Sequence, residues 1–127
     1  MKVLFTLFFS LLIFSNTQAQ ILKELEHSTP EERAVTFSNE ITQALMLTDQ
    51  QNKLILEINL MHAHKIVPII HSKSNKLSKL KKIKSLDKFR DKELDSVLTD
   101  GQFVLYLKHK KEFIKNTRIK LKSVAIK

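Results

Sequence analysis

From residue 29 onward apolar residues recur three and four apart, a spacing that predicts amphipathic helices rather than strands. Thr29-Pro30-Glu31-Glu32 opens the first: Thr29 can cap, Pro30 suits a turn whose N–H groups lack partners, and Glu32 completes a capping box. Ala34, Phe37, Ile41 and Ala44-Leu45 then define a helix that ends near Met46. Leu47-Thr48-Asp49-Gln50-Gln51 opens the second in the same way, with Leu54, Ile55, Ile58 and Met61 as its stripe and Leu56 and Leu60 widening it. Pro68 should end or kink this helix. Leu77, Leu80, Ile83, Leu86, Phe89, Leu94 and Val97-Leu98 predict a third helix, firm over 86–97, with a loop as the alternative over 72–85. Leu98-Thr99-Asp100-Gly101-Gln102 repeats the second start signal 51 residues on and opens a fourth, with Phe103, Leu107 and Phe113-Ile114 as its stripe.

Composition agrees with this all-α reading. One glycine, two prolines and no cysteine among 127 residues supply few tight turns and no disulfide. The N-terminus adds a different signal. Met1-Lys2 precedes an apolar run from Val3 to Phe14, and Asn16-Thr17-Gln18-Ala19 is polar and ends small, the pattern of a secretory signal peptide cut after Ala19. The expected division is a signal peptide over 1–19, an N-terminal extension over 20–28, a helical domain over 29–118 and a basic C-terminal tail over 119–127.

The net charge of +9 is unevenly spread: residues 73–92 carry nine basic and two acidic residues, and residues 108–127 carry eight and one. These blocks suggest an anionic partner or surface without naming one, and the sequence leaves open whether they share a face.

On Leu47-Thr48-Asp49-Gln50-Gln51, Leu98-Thr99-Asp100-Gly101-Gln102, the signal peptide, the four-helix spacing and the long basic helix between the motifs, the chain resembles the LTxxQ-motif family of exported bacterial proteins. That family is typified by the periplasmic chaperone Spy and the envelope-stress protein CpxP. The resemblance covers about residues 30–118. It implies a four-helix protomer of long bent helices in a hairpin-like arrangement, an antiparallel cradle-shaped homodimer, a periplasmic location and no enzymatic activity. It also implies ATP-independent binding of unfolding envelope proteins, with metal-stress sensing or modulation of a membrane stress-signalling system as the other branch.

Candidate chemistry is weighed on that frame. Leu47, Thr48, Gln51, Leu98, Thr99 and Gln102 are read as helix-capping residues, because the Thr and Gln side chains satisfy backbone amides. Client contact is assigned to Lys73, Lys76, Leu77, Lys79, Leu80, Lys81, Lys82, Ile83, Lys84, Phe89 and Arg90, where long-range attraction and adaptable apolar contact combine. Anionic membrane contact is a further expectation. Nucleic acid is not, since no reader motif is present and the export signal removes the chain from the cytosol. His62, His64 and His71 are weak metal candidates: on a helix His62 and His64 stand about 200° apart, and Pro68 separates His64 from His71. No cofactor is expected, and no nucleophile elbow or phosphate loop points to an enzyme.

Overall fold

The computed structural model describes residues 19–126, so all but the last residue of the segment read as a signal peptide lies outside the described residues. Those described residues fold into five helices with no strand: α1 over 19–27, α2 Pro30–Leu45, α3 Asp49–Ile70, α4 Lys76–Val97 and α5 Asp100–Ile126. The extension expected over 20–28 is therefore helical. The basic tail expected from 119 is the continuation of α5.

Helices α2 to α5 start where side chains can satisfy their first amides. Thr29 and Glu32 form a complete capping box, and so do Thr48 and Gln51. Asn75 caps α4, its side-chain oxygen accepting from the Ser78 amide at 2.8 Å, so the alternative left open over 72–85 resolves into a four-residue turn followed by helix. Pro68 lies exposed within α3, which runs only two residues beyond it. The end is well closed. His71 and Ser72 donate backbone N–H groups to Val67 and Ile69, and Lys79 of α4 donates to the Ile70 carbonyl at 2.8 Å.

The main core gathers Phe37, Ile41 and Leu45 of α2, Ile55 of α3, Leu94 and Leu98 at the end of α4, and Tyr106 and Phe113 of α5. Each fully buried aliphatic side chain there contributes about 1.5–3 kcal/mol. α2 is the central element, packed along both α3 and α5, while α4 packs on α3 and has little backbone proximity to α5.

Two stripes differ from the sequence expectation. The inward face of α3 is Ile55, Asn59, Ala63, Ile66 and Ile70, leaving Leu54 and Met61 exposed. A polar residue holds the middle of that face because Asn59 donates to Ser38 of α2 at 2.8 Å, which meets part of its hydrogen-bonding need. On α5 the buried positions are Tyr106, Phe113 and Thr117, and Leu107 faces outward.

Candidate functional site

The two repeated start signals come together in space. Thr48 accepts from the Gln51 amide at 3.2 Å, and Gln51 Oε1 accepts from the Thr48 amide at 3.1 Å. At the start of α5, Thr99 accepts from the Gln102 amide at 3.2 Å while Gln102 Oε1 accepts from the Thr99 amide at 2.9 Å. Gln51 Nε2 then donates across to Gln102 Oε1 at 2.8 Å and to the Val97 carbonyl at 3.2 Å. Leu98 is buried and Leu47 packs against the core. Each glutamine caps its own helix and ties it to the other, a second role that spacing alone does not reveal.

The basic surface assigned to α4 divides. Lys73, Lys76, Lys81, Lys82 and Lys84 are exposed, as are Leu77 and Phe89, which keep 61% and 50% of their surface. Leu80 and Ile83 are half-buried, and Lys79 is drawn to the end of α3. Arg90 departs from the surface set: it is buried, because its guanidinium is gathered into polar groups between α4, α3 and α5.

Those groups form a network that the sequence reading missed. Arg90 pairs with Asp87, and Lys110 of α5 donates to Asp87 and Asp91 at 2.5 and 2.6 Å. Tyr106 donates its phenolic proton to Asp91 at 2.7 Å, and burial pushes the tyrosine pKa far up. Burial also pushes the Asp87 carboxyl upward, but Arg90 and Lys110 outweigh it and hold the group below its usual value. A signal was present: Asp87 and Asp91 stand four apart among the basic residues of α4, hence on one face, where they can receive cations from a neighbouring helix.

Paired cations also concentrate the free charge. Arg118 and Lys122 bind Glu24 of α1, and Lys120 binds Glu40, which is buried. Four basic residues of the C-terminal block thus have anionic partners. Among the described residues, none of the eight lysines over 73–92 forms an ion pair with a carboxylate.

A cavity of about 480 Å³ opens where α4 and α5 diverge. α1 covers part of it, and Ile66, Ile83, Ile114 and Leu121 supply apolar lining. Arg33 and Arg90 line it as well, both about nine-tenths buried. Arg33 donates to the Leu25 and Ser28 carbonyls at 2.9 and 2.6 Å and to Ala63 at 3.4 Å, fixing the end of α1 to α2 and α3. Burial lowers its pKa.

The three candidate metal-binding histidines are separated. His62 faces the cavity and takes a hydrogen bond from Arg90 at 3.2 Å, His64 lies 3.1 Å from Glu31, and His71 is exposed at the end of α3. Burial first, and Arg90 second, push the His62 pKa down to about 3, so the ring is neutral. Among the described residues no group of three His, Asp or Glu side chains is placed to hold a metal ion.

No curated protein and no solved structure matches the chain. A family model described as a domain of unknown function (DUF4890) matches residues 16–106.

Proposed function

We propose that this chain, which belongs to the DUF4890 family, is a non-enzymatic, ATP-independent holding protein that binds unfolding envelope proteins through the outer faces of α3 and α4. The carrying observation is the exposure of Leu77, Phe89 and Met61 on helices whose lysines over 73–92 form, among the described residues, no ion pair with a carboxylate. Lys65 lies 4.9 Å from the Phe89 ring centroid, so the aromatic face is bordered by charge rather than covered by packing. Lysines speed encounter with acidic chains, and exposed apolar side chains then hold them without one fixed geometry.

The resemblance to LTxxQ-motif proteins supports the same reading, together with export after Ala19 and an antiparallel pair of protomers. Analytical ultracentrifugation of the purified protein tests the pairing: a monomer at all concentrations would exclude it.

Holding is tested by light scattering of an aggregating client, across a salt series and with and without chelator. The expected result is suppression near stoichiometric ratios, weaker as salt rises and unchanged by chelator. Phe89→Ser should reduce it severalfold while melting the helices at an unchanged temperature, since the ring is half exposed. Absence of suppression under every condition would sink the proposal and favour metal-stress sensing or signalling instead.

A further inference from the structure

Beyond the holding surface, and independently of it, we infer that the cavity between α1, α4 and α5 binds a single-chain amphiphile with a carboxylate head. Three polar atoms carry this. Among the described residues, Arg33 Nε, Arg90 Nε and His62 Nε2 are buried without a hydrogen-bond partner, and all three residues line the cavity. Each of these atoms is a donor. The arginine nitrogens can only donate, and because His62 Nδ1 accepts from Arg90, the proton of the neutral ring sits on Nε2.

A buried donor without an acceptor costs about 1–3 kcal/mol, and all three atoms are now closed to solvent, so an acceptor that entered the cavity and shifted these side chains slightly to reach them would recover part of that cost. An ionised carboxylate is such a group. Charge agrees with it: Lys23, Arg33, Arg90, Arg118 and Lys122 line the cavity against only Glu24 and Asp87. Arg33 is the key residue. Among the described residues its hydrogen-bond partners are backbone carbonyls and the Ser28 hydroxyl, and Glu31 and Glu32 act on its charge only through space, so no carboxylate is bound to the guanidinium itself.

The rest of the cavity selects the tail. Ile21 and Leu25 of α1 face a space also lined by Ile66, Ile83, Ile114 and Leu121, surfaces suited to an alkyl chain. Its volume lies in the range of small-molecule sites, roughly 300–1,000 Å³. A head of opposite charge would leave the same donors unpaired and add repulsion, so discrimination between heads should be strong.

The test is calorimetric titration of the purified protein with decanoate, decyltrimethylammonium, decyl maltoside and acetate, each below its micelle concentration. Saturable one-to-one binding of decanoate is expected, about tenfold or more tighter than either of the other decyl compounds. Acetate should bind far more weakly than decanoate. Arg33→Met should remove the preference for decanoate over decyl maltoside. Because Arg33 also anchors α1, Ile83→Trp provides a second variant that fills the cavity from α4 and should weaken decanoate binding at least about tenfold with helicity retained. Equal binding of the three decyl compounds, no saturable binding of decanoate, or unchanged affinity in a folded Ile83→Trp variant would each overturn the inference.

Discussion

Three single residues give sharp tests because their surroundings are simple. A Cβ built on Gly101 meets nothing within 4 Å, and the residue lies in the first turn of α5. Gly101→Ala should therefore raise stability by roughly 0.5–1 kcal/mol in urea denaturation, chiefly by restricting the unfolded chain. Met46 is the opposite case. It ends α2 at φ 51°, the only described non-glycine residue with positive φ, and its side chain is 88% exposed. Met46→Gly should stabilise the fold by about 0.5 kcal/mol, left-handed strain relieved outweighing added unfolded-state freedom. His62 sets a pH response. With its folded pKa near 3 and its ordinary value at 6.5, the unfolded chain binds a proton between those limits that the folded chain refuses. Stability is full above pH 6.5 and falls as pH drops toward 3, by up to about 1.4 kcal/mol per pH unit. Asp87, whose folded pKa is depressed, adds a further loss in stronger acid. His62→Gln keeps an acceptor for Arg90 without a titrating ring, and should flatten the decline between pH 6.5 and about 5 in pH-dependent denaturation.

At the scale of helices, the linked caps are the feature to perturb. Thr48→Ala and Thr99→Ala should each cost about 0.5–2 kcal/mol, with client binding per folded molecule unchanged. Loss of binding at full helicity would refute a purely structural role. Replacing Gln51 and Gln102 by Leu, singly and together, should give a coupling energy of about 0.5–1.5 kcal/mol in a double-mutant cycle, where independent caps would give none. Helix starts were legible in the sequence because Thr29-Pro30-Glu31-Glu32 and the two Leu-Thr-Asp-x-Gln runs act on neighbouring amides. Helix faces were less so. Asn59 enters the interior because Ser38 receives it from another helix, and Arg90 because Asp87 and Tyr106's partner Asp91 create a polar layer with Lys110. The Asn59 partner stands 21 residues away, and although Asp87 and Asp91 share a face of α4 with Arg90 by local spacing, the His62 and Lys110 that close the layer come from other helices, which no local period encodes.

For the molecule as a whole, the bundle is fastened differently at its two ends. One end holds the linked glutamines above an apolar core, while the other relies on Arg33 and on Glu24 bound to Arg118 and Lys122. Arg118→Met should leave the core intact and speed amide hydrogen exchange in α1 by up to about fivefold, since a partly exposed pair contributes ~1 kcal/mol or less. Uniform acceleration across all helices would mean that the wide end is not a separate unit. The all-helical class was readable from spacing and composition, but the cavity was not, because its donors come from α2, α3 and α4 and its cover from residues read as an extension. That cover sets an order of events. Glu24 lies 94 positions before Arg118, whereas Gln51 and Gln102 are 51 apart, so fastening the cover closes the longer loop. Loop-closure entropy favours the shorter tie only modestly, since each doubling of loop length costs about 0.6 kcal/mol. On refolding, the narrow end therefore closes ahead of the clasp that holds α1.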